Sequence, residues 1–547
     1  MNAASYSAQG LPNASVAQGS IFTIFGSGLG PAAAVHASAF PLGTSLQGVS
    51  ISISQGGITV PAIPLYASAT QINAVMPSNA PIGLDTVVVT FNGQSSCAQC
   101  PETGMVQVVP SSFGIFTINQ AGNGQGVFTT GANRMIEYTS PAAPGEVLNI
   151  WGTGLGAIPG SDAEPPAAGN VGSIIPTVYV GGVEVAAAYH GRSPCCSGVD
   201  QIQFQVPASV SGCNIPVAVQ TGTVVSNFAS IAVASPGHAC VDPDGTSVSD
   251  FPNPAALGAI STGYVGLSRL IDSQVQTEDF FPFTTSTVTI TEDYGYANFE
   301  KFPYASFSLT ELPLQILNFG ACLVYTFNQG ETGTGQPFQA ATPTFNLVPG
   351  DALDAGAAIA INGPNGGKQI APLAPTPPAG IGNYGADLGE SSGPNPLYLT
   401  PGSYNVSGIG GNDVDPFSVS IQMPEQLAWT NQSSLNTISR ANGVTVTWSG
   451  ADPNGYVIIS GISFSVSGTG SAGFNCTARA ADNQFTVPAI VLLALPQNAI
   501  NESDGINTSD ASLQIGIATA PVMFKATGLD LALAVASFSI AQSVNYQ

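Results

Sequence analysis

The chain has 547 residues, too many for one hydrophobic core to serve, so about three to five domains are expected. Its hydrophobic fraction of 44% suits a folded protein, yet only 7% of residues are charged, against a usual value of about 25%. Eight Lys or Arg face 32 Asp or Glu, a formal net charge of −24, which excludes binding nucleic acid through a cationic face and docking on anionic lipid.

With so few charges, the surface must be covered by Ser, Thr, Asn, Gln and Gly, which suit strands and turns. The 64 Gly and 42 Pro would interrupt long helices repeatedly, so an all-β fold is expected. No run of about 18 apolar residues occurs, so no membrane insertion by a helix is expected. The start, Met1-Asn2-Ala3-Ala4-Ser5-Tyr6, has neither the basic flank nor the apolar stretch of a signal peptide. A secreted or cell-surface protein with its leader removed or truncated is the expectation.

In chain order, the first signal is Ile24-Phe25-Gly26-Ser27-Gly28-Leu29-Gly30, which recurs as Ile150-Trp151-Gly152-Thr153-Gly154-Leu155-Gly156. Gly56-Gly57-Ile58 is matched by Gly181-Gly182-Val183, and Gln71-Ile72-Asn73-Ala74-Val75-Met76-Pro77 by Gln201-Ile202-Gln203-Phe204-Gln205-Val206-Pro207. Three blocks in one order predict two copies of one sandwich, residues 1–120 and 121–240. Within the first, Gly48 to Ser54 alternates in period two, and Thr86 to Phe91 ends in the turn pair Asn92-Gly93.

Composition shifts after Cys240, where Asp242-Pro243-Asp244-Gly245 and Pro252-Asn253-Pro254 mark a linker or irregular entry. A third β-sandwich is expected over 241–424, from Ser286-Thr287-Val288-Thr289-Ile290-Thr291 through Cys322 to Phe327 to Phe417-Ser418-Val419-Ser420-Ile421. A fourth is expected over 425–547, with Val444-Thr445-Val446-Thr447-Trp448 and Tyr456-Val457-Ile458-Ile459 as strands. Only Ile490 to Leu495 reads as helical. These are tandem immunoglobulin-like sandwiches by expectation.

Eight cysteines in this setting predict disulfides rather than metal ligands. Cys97 and Cys100 follow a strand and turn, which favours a local loop bridge over a redox motif. Cys195 and Cys196 are neighbours, so their expected partners are Cys213 and Cys240. Cys322 and Cys476 are left either paired across domains or free.

Chemistry-bearing motifs are sparse. The glycine block lacks the following helix and the Lys of a phosphate cradle, so it is read as a close-packing device. His36, His190 and His238 carry no nucleophile motif, and neither G-x-S-x-G nor H-E-x-x-H occurs, so no catalytic residue and no enzyme is expected. No cofactor is expected beyond calcium, a hard cation that Asp242, Asp244, Asp413 and Asp415 would suit as loop oxygen donors. Tyr294, Tyr296 and Phe299 are candidates to stack on sugar rings.

Further blocks are Ser7-Ala8-Gln9-Gly10, Phe22 to Gly30, Ala69-Thr70-Gln71-Ile72-Asn73, Phe113-Gly114-Ile115-Phe116, Pro144-Gly145-Glu146 and Gly191 to Ile202. Through these, residues 1 to about 235 resemble repeated IPT/TIG-like, immunoglobulin-like modules of secreted bacterial proteins of unknown function. Pro401-Gly402-Ser403-Tyr404 is among the segments similar to the C-terminal region that accompanies such modules. The resemblance implies export and a sandwich fold, and it supplies no catalytic residue. A non-catalytic extracellular structural or adhesive role is therefore expected, with a surface glycan or protein as ligand. A carbohydrate-binding accessory protein and a self-associating filament subunit are the alternatives.

Overall fold

The computed structural model describes residues 1–96, 104–171, 175–243, 245, 247, 258–277, 285–303, 317–328, 350–373, 382–465, 470–498 and 511–547. The chain divides into two compact units, Met1–His238 and Ala239–Gln547.

The first unit contains both repeats, each a sandwich of two sheets. In the first repeat Val49–Gln55 reads VSISISQ, and its alternation buries Val49, Ile51 and Ile53 while the serines between them face outward. Each such buried side chain contributes roughly 1.5–3 kcal/mol. This strand pairs with Gly83–Phe91, and Ile21–Phe25 pairs with Gln71–Val75 in the facing sheet. Phe22, Ile72, Ala74 and Met76 close the core from that side.

The repeat seen in sequence is a repeat in register. Ile24 lies opposite Ile72, and Ile150 opposite Ile202. Val16 pairs in parallel with Val108, and Ala142 in parallel with Val233. Hairpin turns match too: Gly56 and Gly57 have φ of 57° and 85°, Gly181 and Gly182 58° and 82°. Two successive left-handed residues are what a two-residue hairpin with the twist of its strands requires.

One inward position of the first repeat conflicts with its surroundings. Asp85, opposite Val106, is fully buried, and neither carboxylate oxygen has a hydrogen-bond partner. Burial pushes its carboxyl above the ordinary range. The folded state therefore favours the protonated acid, and stability falls as pH rises past the unfolded value of roughly 3.9. Asp85→Val is expected to raise the unfolding free energy of this unit at pH 7 by about 1–3 kcal/mol. The gain should fade near pH 4, and denaturant titrations at the two pH values check it.

The second unit is built on a 14-stranded sheet. Ala259–Thr277 and Thr285–Pro303 form a long antiparallel hairpin, and the final long strand, Leu531–Ser543, runs parallel to the first of these. Leu531–Ser543 is buried on both faces along nearly its whole length, which suits a central strand. From there the sheet continues through Ser512–Ala518, Tyr456–Phe464 and Gly470–Arg479 to Cys322–Asn328. On the other side it passes through Asn383–Glu390 and Gly402–Gly408 to Phe417–Met423, whose FSVSIQM alternates between core and solvent. The expected division at 424/425 thus falls inside one hydrogen-bonded sheet, because the last long strand returns to pair beside the first. A three-stranded sheet of Ala428–Trp429, Val444–Ser449 and Gln484–Val487 completes the unit with the short helix Ala489–Leu493. No helix among the described residues is long and apolar enough to cross a membrane.

Candidate functional site

A buried polar network of the first unit lies where its two sandwiches meet, around the second glycine block. Val147–Thr153 carries the block out of its sheet, and Gly154 has φ 115°, a conformation that favours glycine. A Cβ there would stand 2.1 Å from the Ser112 carbonyl oxygen. The backbone amides of Gly154 and Leu155 donate to Asp200 Oδ2 at 2.7 and 2.8 Å.

Arg192, at 2% exposure, faces Asp200 and forms an ion pair with it through Nη1. Its Nη2 donates to Gly19 O at 2.7 Å and to Gly156 O at 2.6 Å, so one guanidinium joins carbonyls of both repeats. Burial pushes the Asp200 carboxyl up, opposed by Arg192 and the two amides. Around this pair, Ile21 N donates to Thr153 Oγ1 at 2.8 Å, and Thr153 Oγ1 donates to Gly198 O at 2.6 Å. Asn2 Nδ2 donates to Ser112 O at 3.0 Å, and Ser78 donates through N and Oγ to Asp162 at 2.7 and 2.8 Å. A buried charge is tolerated when it is paired and hydrogen-bonded, and Arg192 has Asp200 and two carbonyls as partners.

The first glycine block is used differently. Leu29 N, the counterpart of Leu155 N, donates to the Ala69 carbonyl, and Gly26 N to that of Thr70, so a backbone oxygen takes there one of the two amides that Asp200 accepts in the second repeat. A Cβ on Gly28 would meet nothing within 4 Å. The strand edge beside it differs as well. Trp151 N donates to Val127 O at 3.1 Å, and Phe116 N donates to Trp151 O at 3.0 Å, so added strand segments cover the second repeat's edge. At the matching position Phe25 is 55% exposed, and the edge is covered only as far as Thr23, whose N donates to Met1 O.

The structure corrects the cysteine pairing. Cys195 is bonded to Cys196 and not to Cys213 or Cys240; both lie in the short loop between Tyr189–Arg192 and Asp200–Gln205, whose course places the two side chains side by side. Cys213 and Cys240 are each disulfide-bonded. Cys322 joins Cys476 directly across two neighbouring strands of the large sheet. Cys97 and Cys100 lie outside the described residues.

The second unit has a polar centre of the same design. Arg269 Nε and Nη2 donate to both oxygens of Asp293 at 2.7 and 2.8 Å, and Asp293 Oδ2 also accepts the amides of Tyr398 and Leu399 at 2.6 and 2.7 Å. Neither Arg–Asp pair is evident in sequence, since each forms only once strands are placed. The available signal was the presence of single arginines, Arg192 and Arg269, inside strands of a chain with eight cations.

Of the stacking candidates, Phe299 is corrected: it is fully buried between Tyr384 and Phe417, at centroid distances of 5.8 and 5.7 Å. Strand alternation turns it inward, whereas Tyr294 and Tyr296 lie half-buried on the other face. Tyr296 stacks on Tyr264 at 5.3 Å and donates to its hydroxyl at 3.0 Å. Burial pushes Tyr296 up to about 12, and burial with the neighbouring Glu292 does the same to Tyr294.

Of the calcium candidates, Asp413 Oδ2 accepts the amide of Asp354 at 2.9 Å, while Asp354 Oδ2 accepts from Asn412 N and Nδ2 at 3.1 and 2.8 Å. These carboxylates close a loop. Asp415 donates its amide to Thr527 O at 2.9 Å, and Asp242 accepts Gly245 N in a turn at 2.9 Å. Asp244 lies outside the described residues. Among the described residues no group of three or more His, Cys, Asp or Glu side chains is gathered around one point.

No protein-family model and no curated protein matches the chain. Among solved structures, the titin I-band fragment I67-I69 is 8% identical over 74% of this chain and 95% of its own, at a TM-score of 0.11. The Bacteroides ovatus SGBP-B in complex with a mixed-linkage heptasaccharide is 9% identical over 89% of this chain and 88% of its own, at 0.12. The ICAM-5 D1-D4 ectodomain fragment is 10% identical over 95% and 96%, at 0.13. At TM-scores this low the likenesses carry no argument about what this chain binds. Its own sheets and registers show an all-β protein whose first 238 residues are two immunoglobulin-like sandwiches in tandem.

Proposed function

We propose that this is a non-catalytic extracellular structural or adhesive protein, in which two IPT/TIG-like sandwiches form a stiff spacer. The observation that carries the reading is the buried junction: Arg192 bonds carbonyls of both repeats, and Thr153 and Asn2 add further hydrogen bonds across it. A flexible string of domains would leave its linker solvated, whereas here Ser111, Ser112 and Phe113 between the repeats are buried. Disulfides at Cys195–Cys196 and Cys322–Cys476 support an oxidising compartment. Ligand contact would then fall on loops or exposed sheet faces that the scaffold positions. Immunogold labelling of producing cells, with the medium fractionated alongside, tests this. Label on the envelope or on extracellular fibres is expected, and label confined to the cytoplasm would overturn it.

Self-association is the second reading, favoured by the exposed edge at Phe25 that the second repeat covers at Trp151. An uncharged edge without a covering strand invites strand addition between copies. Any concentration-dependent association of the full chain in sedimentation is expected to weaken in Phe25→Lys, since a charge at the edge opposes pairing.

A further inference from the structure

Cys195 and Cys196 close a bridge between adjacent residues, and both are exposed together with Pro194. The other bridge whose pairing is described is hidden, with Cys322 at 5% and Cys476 at 0% exposure. The exposed bridge sits at the tip of a loop whose base belongs to the sandwich junction. Ser193 N donates to Val199 O at 2.8 Å and closes the neck of the loop. On one side of that neck is Arg192, and on the other Asp200.

Three contacts fix the loop to its surroundings. Ser197 Oγ donates to Asp162 O at 2.5 Å, and Gly198 O accepts Thr153 Oγ1 at 2.6 Å. Gly198 lies so close to the first repeat that a Cβ would stand 2.7 Å from Ile21 Cγ1. Ser193 Oγ also donates to Cys195 Sγ at 3.1 Å.

We propose that Cys195–Cys196 is a site of thiol–disulfide exchange with small thiols, and that opening it loosens the junction between the two sandwiches. A thiolate attacks Cys196 Sγ and forms a new S–S bond with it. The Cys195–Cys196 bond breaks, and its electron pair leaves on Cys195 Sγ as a thiolate, which then takes a proton. Ser193 directs the attack, since its hydroxyl hydrogen-bonds the leaving sulfur Cys195 and stabilises the charge it gains. A second thiol attacks the external sulfur of the mixed disulfide, releases Cys196 as a thiol and leaves as the oxidised small disulfide. Two thiols are oxidised and one protein disulfide is reduced. Without the bridge, the loop tip gains backbone freedom, and the contacts of Ser197 and Gly198 at the junction weaken.

The test treats the folded full chain with graded dithiothreitol, quenches by alkylation and maps modified cysteines by mass spectrometry. Cys195 and Cys196 are expected to be modified at least about tenfold faster than Cys322 and Cys476, because access to the attacking thiolate sets the rate. With a monothiol such as glutathione, the first adduct is expected on Cys196, and Ser193→Ala should spread it over both sulfurs. Limited proteolysis between the repeats, around Ser111–Phe113, should speed up once the bridge is open. Cys195→Ser with Cys196→Ser should reproduce that cleavage without reductant. Equal or slower modification of Cys195 and Cys196 would overturn the exchange site. Unchanged cleavage in both the reduced protein and the double variant would overturn the link to the junction. The reading as an extracellular spacer is tested separately, by location on cells.

Discussion

Replacing Arg192 with alanine is expected to destabilise the first unit by about 3–5 kcal/mol, because Asp200 would then be a buried carboxylate without its cation. The guanidinium opposes the upward push of burial on Asp200, so its removal raises that carboxyl further. A raised carboxyl in the folded state gives stability that is present at acid pH and lost as pH increases. The gap between Arg192→Ala and the parent chain should therefore be widest near pH 8 and narrow on acidification. Arg192→Met combined with Asp200→Asn should recover part of the loss, since an amide oxygen can still accept from Gly154 or Leu155 and no charge is buried. Denaturant unfolding of the full chain, followed by hydrogen exchange of amides in Met1–His238, measures both variants against the parent.

The second large effect separates the two glycine blocks. Gly154→Ala asks an L-residue to adopt φ 115° with its Cβ 2.1 Å from the Ser112 carbonyl oxygen, where only backbone movement makes room. The expected cost is about 4 kcal/mol or more, together with disturbance of the amides that Asp200 accepts. Gly28→Ala occupies the matching position in the first repeat, at φ 67° with nothing within 4 Å. Its cost should be only the left-handed penalty of about 1–2 kcal/mol. Thermal unfolding of the two variants side by side distinguishes a packing device from a block kept merely as a flexible turn. Equal losses would mean that the junction contact contributes nothing beyond backbone conformation.

What could be read from sequence was whatever neighbouring residues determine. Gly56-Gly57, Gly181-Gly182 and Asn92-Gly93 specify their hairpins by backbone freedom alone, and VSISISQ declares its buried face through alternation. The repeat was legible because three blocks recur in order, and the structure gives them one register. Long-range pairing was not legible. Leu531–Ser543 sits beside Ala259–Thr277 although most of the unit lies between them in sequence, so a boundary placed between successive strand runs at 424/425 crosses a continuous sheet.

The candidate site followed the same division. The close-packing role of the second glycine block could be argued from Gly152-Thr153-Gly154-Leu155-Gly156 and the absence of a following helix. The arginine that locks it could not, since Arg192 reaches Gly19 only after both sandwiches have folded. The bridge of Cys195 to Cys196 was missed for a different reason. Adjacency in sequence points away from a bond between them, while the loop that carries both residues imposes a backbone course that sequence spacing does not reveal.

The rigid union of the two sandwiches is tested most directly by a distance distribution between them. Spin labels at Ile58 and Val183, exposed residues at matching hairpins of the two repeats, would report it by pulsed electron resonance on the full chain. A single narrow distribution is the expected result. A broad or multimodal one would show that Arg192, Thr153 and Asn2 do not hold the repeats together in solution, and the spacer reading would fall with it.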